Sequence, residues 1–156
     1  MNSNQANILI VDDEEVVRLS YMRILAGTSR VKAVWSWAQV AEAMQDEPAD
    51  VVLLDLRMPE MDGITVLRAL KQRWPDSEVI VITGYPTLET AKQAVSLGAY
   101  DYLTKPVNPE QVIHASNAAW LHKRWALQKD RSPPPGAAAT GQRGLPDQSD
   151  FSRTSS

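Results

Sequence analysis

A chain of 156 residues, 44% hydrophobic and 22% charged, holds apolar material for the core of one ordinary domain and little for a second. Its net charge of -3 argues against direct nucleic-acid binding through phosphate neutralisation, and the absence of cysteine excludes disulfides, thiolate metal sites and cysteine nucleophiles while suiting a reducing compartment. The N-terminal Met1 to Ala6 is polar with no basic leader, and no apolar run approaches the roughly 18 residues of a membrane span, so a cytoplasmic protein without a membrane partner is expected.

Apolar runs alternate with helix-period stretches five times, the pattern of a doubly wound α/β domain. The first strand is expected near 7–12, where Ile8-Leu9-Ile10-Val11 closes on Asp12-Asp13. The helix after it carries Val17, Tyr21, Ile24 and Leu25 on one face and is expected to end at Gly27. A second strand at 30–35 leads into Ser36-Trp37-Ala38-Gln39, a capping box in which Ser36 accepts an early N–H and Gln39 reaches back. Trp35 and Trp37 flank that helix start on opposite sides, so one is expected packed and the other exposed.

The third strand, 50–55, runs through Val51-Val52-Leu53-Leu54 and closes on Asp55. The third helix spans about Gly63 to Trp74 and is stopped by Pro75, with Asp62-Gly63 read as turn and helix-start chemistry. A fourth strand at 78–83 ends in Thr83-Gly84, and its helix runs from Thr87 to Gly98. The fifth strand, 100–104, ends in Lys105-Pro106, and Asn108-Pro109-Glu110-Gln111 opens a last helix reaching about Lys129. His114 and His122 stand eight apart on that helix, not the three or four of helical neighbours, so neither is given a metal or catalytic role. The domain is set at 1–130, and the Pro-, Gly-, Ser- and Ala-rich 131–156 reads as a disordered tail.

In an open α/β sheet the ligand crevice lies beyond the carboxyl ends of the strands, where strand order reverses. Asp12, Asp13 and Asp55 are therefore expected to meet there. Two carboxylates about 4 Å apart repel by roughly 4 kcal/mol at an effective dielectric near 20, so the cluster calls for a counter-charge. Mg²⁺ suits it, since that ion takes one or two carboxylates and keeps positions for phosphate oxygens. Thr83 and Lys105 end strands at the same edge, and the set suits phosphoryl transfer to a carboxylate, with Asp55 as nucleophile. Each residue also has a plainer reading: Asp12 and Asp13 as a helix cap, Lys105 as a solvated charge, Tyr102 as strand packing.

The chain resembles the receiver domain of two-component response regulators over about residues 7 to 128. The resemblance rests on Val11-Asp12-Asp13-Glu14, on Leu54-Asp55-Leu56-Arg57-Met58-Pro59-Glu60-Met61-Asp62-Gly63, on Thr83-Gly84 and on Tyr102-Leu103-Thr104-Lys105-Pro106. It implies a flavodoxin-like five-stranded parallel sheet in order 2-1-3-4-5 with five helices. It implies phosphorylation of Asp55 by a histidine kinase or phosphotransfer protein, with Mg²⁺ held by Asp13, Asp55 and the main-chain carbonyl of Arg57, and by Asp12 mostly through water. It further implies a cis Lys105-Pro106 bond, and that Thr83 and Tyr102 reorient on phosphorylation to reshape the face of the fourth helix, fifth strand and fifth helix for a downstream protein target. By the same resemblance the chain catalyses only phosphotransfer to its own aspartate and slow hydrolysis from it.

Three competitors are weaker. A receiver-like adaptor indifferent to phosphorylation has no need of Asp55, Thr83 and Lys105 together. A flavin-binding relative wants a Ser-, Thr- and Gly-rich loop where Asp12-Asp13-Glu14-Glu15 stands. An aspartyl-phosphate phosphatase wants an acid two residues after its nucleophile, where Arg57 stands. The chain also reads as the N-terminal receiver of a truncated transcriptional activator. Arg57 and Tyr85, the positions that bear on dephosphorylation in this family, are bulky and carry no group to orient water, so a long-lived phosphoryl group is expected. Trp120, Leu121 and Trp125 spread around the last helix: the rings either cover the core edge or join a patch for a partner or a phosphorylation-dependent homodimer.

Overall fold

Strands buried on both faces need apolar side chains along their length, and the central runs have them: Val51–Leu54 and residues 79–82 are apolar and buried throughout, the latter between the polar but buried Glu78 and Thr83. The computed structural model describes residues 4–131. In chain order these form β1 (Ala6–Val11), α1 (Glu15–Leu25), β2 (Ser29–Val34), α2 (Trp37–Asp46), β3 (Val51–Leu54), the short strands β4 (Arg57–Met58) and β5 (Met61–Asp62), α3 (Gly63–Arg73), β6 (Glu78–Thr83), α4 (Leu88–Ser96), β7 (Asp101–Thr104) and α5 (Pro109–Arg131). The chain divides into two units, Met1–Lys123 and Arg124–Ser156. In the second, Lys129 Nζ lies 4.9 Å above the Trp125 ring. The expected disordered tail lies outside the described residues save Arg131, which closes α5. No helix among the described residues is long and apolar enough to cross a membrane.

The large sheet is parallel in order β2-β1-β3-β6-β7, the 2-1-3-4-5 pattern expected once the small strands are set aside. Its side chains alternate between two cores. Leu9, Val11, Val52, Leu54, Val79 and Val81 pack with Val40 of α2, Leu67 of α3 and Ala94 of α4. Ile8, Ile10, Leu53, Ile80 and Ile82 pack with Tyr21 and Leu25 of α1 and Val112 and Ala119 of α5. Order reverses between β1 and β3, and Val11 pairs with Leu54, so Asp12 and Asp55 leave neighbouring strands at the same level.

Helix starts follow their caps. Ser36 Oγ accepts from Gln39 N, but Gln39 Oε1 accepts from Trp35 N at 2.8 Å instead of closing the box on Ser36. Thr87 and Thr90 form a reciprocal box on α4, as do Asn108 and Gln111 on α5. α4 is followed by Gly98 at φ +94°, in the left-handed region. α1 ends at Leu25 with Ala26 as its C-cap in helical geometry, so Gly27 follows the cap as expected but is not in the left-handed region. Trp35 is 53% exposed while Trp37 packs against the core, the split expected of them.

The hairpin β4–β5 was not expected. Arg57 pairs with Asp62 and Met58 with Met61, and the chain turns into α3 under the Asp62 cap, whose Oδ1 accepts from Ile64 N. Gly63 N donates to Leu56 O at 3.1 Å, and a Cβ on Gly63 would stand 2.3 Å from Leu56 Cα. Because that obstacle is backbone, Gly63→Ala is expected to cost about 1–3 kcal/mol in denaturant unfolding. A variant as stable as the wild type contradicts the close approach.

Candidate functional site

β1 and β3 deliver their acids to one crevice of about 620 Å³, whose walls include Asp13, Glu14, Arg57, Tyr85 and Lys105. Asp12 is 2% exposed: Oδ1 accepts from Glu14 N at 3.0 Å and Oδ2 from Lys105 Nζ at 3.0 Å. Its main-chain oxygen accepts from Arg18 Nη1 at 2.8 Å, and the same guanidinium stacks 4.5 Å from the Trp35 ring. Asp12 thus binds one amide of the α1 approach, as the cap reading wanted, and also pairs with Lys105. Asp55 is 5% exposed, accepts from Arg57 N at 3.2 Å and has Lys105 Nζ at 3.5 Å from Oδ2. Asp12, Asp13 and Asp55 each offer an oxygen within 4.8 Å of the others, the one such convergence among the described residues. These hard oxygen donors are the chemistry a small divalent cation takes.

Lys105 reaches the carboxylates from the end of β7, where its amide donates to Thr83 O at 2.8 Å and its bond to Pro106 is cis. Thr83, wholly buried at the end of β6, accepts from Tyr85 N at 3.1 Å. Arg57 lies 4.0 Å over the Tyr85 ring, two side chains of the crevice wall stacked on each other.

Burial and the neighbouring Asp12 push the Asp55 carboxyl up from 3.8 to about 6; Lys105 and the Arg57 amide pull the other way, and Asp13 adds to the rise. Burial works against the Lys105 charge, yet the hydrogen bond and charge of Asp12, with Asp55 and Tyr21, leave its ammonium held above its ordinary value. Tyr21, chosen from the sequence only as part of a packed face, is raised to about 12, chiefly by burial, with Asp12, Asp55 and Glu14 against its phenolate and Lys105 for it.

The structure therefore brings together Asp12, Asp13, Asp55 and Lys105, with Thr83 at the adjoining strand end and Arg57 beside Asp55. Tyr102 turns elsewhere: its hydroxyl is 2.8 Å from Thr90 Oγ1, inside the α4 capping box, while its ring packs on the core beside α4. Trp120 is part-buried against the core, which favours its packing reading, and Trp125 is 58% exposed. His122 pairs with Glu78 at 2.6 Å at the start of β6, the opposite end of that strand from the acids. Sequence reading missed Arg18 and Thr90, since neither belongs to a recognisable motif.

Residues 8–117 match the family model for the response regulator receiver domain. The chain is 38% identical to a putative response regulator NtrX-like of Rickettsia bellii over 69% of its own length and 23% of that protein. It is 36% identical to the DNA-binding transcriptional regulator NtrC of Escherichia coli over 74% of its length and 25% of that protein. It spans about a quarter of these curated relatives. Among solved structures it resembles a CheY-like receiver domain protein of Methanospirillum hungatei, with TM-score 0.75 and 26% identity over 78% of this chain and 98% of that one. It also resembles NtrX of Brucella abortus, with TM-score 0.76 and 27% identity over 81% and 30%.

The Asp55 shift has a stability consequence. Its folded value lies above the unfolded one, so the contribution of Asp55 is complete below pH about 3.8 and is lost as pH rises through about 6. A rise from 3.8 to about 6 is a burden on the order of 3 kcal/mol at neutral pH. With divalent cations chelated, Asp55→Asn is expected to be more stable than wild type at pH 7, the difference shrinking towards pH 4. Equal or lower stability at pH 7 contradicts the strained carboxylate.

Proposed function

The chain belongs to the response regulator receiver domain family, and from that membership we propose that it is a signalling switch that accepts a phosphoryl group on Asp55 from a histidine kinase or phosphotransfer protein. The observation that carries this reading is Lys105 Nζ held between Asp12 and Asp55 at 3.0 and 3.5 Å. An Asp55 oxygen attacks phosphorus, the bond to the donor imidazole nitrogen breaks, and the imidazole departs with the electron pair. Lys105 then pairs with a phosphoryl oxygen, and the Thr83 hydroxyl donates to another. Mg²⁺ is the proposed cofactor: Asp13, Asp55 and the main-chain carbonyl of Arg57 would hold it, with Asp12 close by, and it would supply positive charge against the acids and the phosphoryl oxygens.

When Thr83 turns to the phosphoryl group it gives up the Tyr85 amide, and Tyr102 exchanges the Thr90 hydroxyl for the space left behind. That movement alters the first turn of α4 and, with it, affinity for a downstream protein target. A phosphorylation-dependent homodimer belongs to the same proposal. The chain turns over nothing beyond its own aspartate, acts in the cytoplasm, and touches no nucleic acid itself. A second reading, favoured by relatives named as transcriptional regulators of which this chain spans a quarter, makes it the receiver portion of such a regulator.

Incubated with phosphoramidate and Mg²⁺, the wild type is expected to gain one phosphoryl group that maps to Asp55, and none with the cation chelated or in Asp55→Asn. Phosphate mapped to another residue contradicts the assignment. The Arg57–Tyr85 stack screens the acyl phosphate from water, so the phosphorylated protein is expected to decay slowly and to decay faster in Tyr85→Ala. A half-life of a few seconds in the wild type contradicts the screen.

A further inference from the structure

Beside the phosphorylation crevice lies a second cleft, of about 360 Å³, that the proposed chemistry does not use. One wall is the Trp35-Ser36-Trp37 turn before α2, and the other is the β4–β5 hairpin through Met58, Pro59 and Met61. The two hollows share Asp13 and those three hairpin residues, so they adjoin along the hairpin. Both indoles have an arginine over a ring face: the Arg18 guanidinium lies 4.5 Å from the Trp35 ring and that of Arg73 5.9 Å from Trp37. The charged side chains lining the cleft, Asp13 and Glu60, are both acidic.

We propose that this cleft is a docking subsite for the phosphodonor protein, taking an aliphatic side chain of its surface between Trp35 and Met61 and an adjoining Lys or Arg against Glu60. The inference rests on Asp55 being the phosphoacceptor. Asp55 is 5% exposed, so a protein that brings a phosphorylated imidazole to it must close over the crevice mouth. A specific interface covers about 800 Å² on each partner, enough to reach from the crevice mouth across the shared hairpin wall to the cleft. Trp is among the residue types that most often anchor such interfaces, and a half-exposed Trp35 already fixed by Arg18 loses little freedom on binding. The acid at the rim selects a basic neighbour and speeds encounter.

The test separates docking from chemistry by using two donors. The histidine kinases of the source organism are profiled for transfer to the full chain, and the fastest is taken forward with Trp35→Ala and Glu60→Lys; phosphoramidate, which needs no docking, is the second donor. KM for the phosphorylated kinase is expected to rise about tenfold in either variant, with the phosphoramidate rate unchanged. An unchanged kinase KM overturns the inference and leaves Asp55 phosphorylation standing. Equal losses with both donors overturn it too, since the cleft then acts on the site itself. A dimer in sedimentation that Trp35→Ala abolishes, with kinase KM intact, assigns the cleft to a second copy instead. If no kinase transfers to the wild type, or phosphoramidate does not modify Asp55, the functional reading fails and the inference with it.

Discussion

One ammonium group holds the functional edge of this molecule together. Lys105 Nζ stands 3.0 Å from Asp12 and 3.5 Å from Asp55, both almost wholly buried. The two acids offer oxygens within 4.8 Å of each other, and like charges about 4 Å apart cost roughly 4 kcal/mol at an effective dielectric near 20, a large part of the roughly 5–15 kcal/mol by which a domain is stable. A buried charge left without its partner is more damaging than the pair is helpful. The close approach of β1 and β3 at their carboxyl ends is therefore tolerable only while a cation sits between them. The same residue is the one placed to meet an incoming phosphoryl group, so structural and chemical demands fall on a single side chain.

Everything around it positions or restrains that charge. The register of β1 on β3 sets the acids level, and the Lys105 amide on Thr83 O fixes where the side chain leaves β7. Glu14 and Arg57 amides hold one oxygen of each acid, leaving the other to the ammonium. Gly63, pressed against Leu56, keeps the hairpin tight against the crevice. Asp55 alone stays unfavourable as an anion, which is a burden on stability and a readiness for neutralisation by chemistry.

The inner strands β1, β3 and β6 were legible to within a residue because burial on both faces leaves an apolar run, and the edge strands β2 and β7, only partly buried, were placed to within a residue by their position between helices. The acids were legible because each run ends on one, and strand ends in a doubly wound sheet share an edge. Caps at Ser36 and Asn108 were local and readable, though Gln39 chose Trp35 N over Ser36 N, and the Thr87–Thr90 box at the correctly placed start of α4 went unread. The β4–β5 hairpin left no trace because two-residue strands have no periodicity. Gly27 stands directly after the α1 C-cap Ala26, where the sequence placed the stop, but without the left-handed geometry of Gly98. Tyr21, Arg18 and Thr90 reach their partners through tertiary packing, which spacing along one chain does not encode.

Lys105 and Asp55 should then be energetically inseparable, and a double-mutant cycle of unfolding free energies on Lys105→Met, Asp55→Asn and the double variant, with divalent cations chelated at pH 7, measures this directly. Lys105→Met alone is expected to destabilise, and to cost markedly less in the Asp55→Asn background, with a coupling on the order of 1–3 kcal/mol. Costs that add to within about 0.5 kcal/mol would mean that the ammonium does not hold the two carboxylates together, and the account built on it would fall.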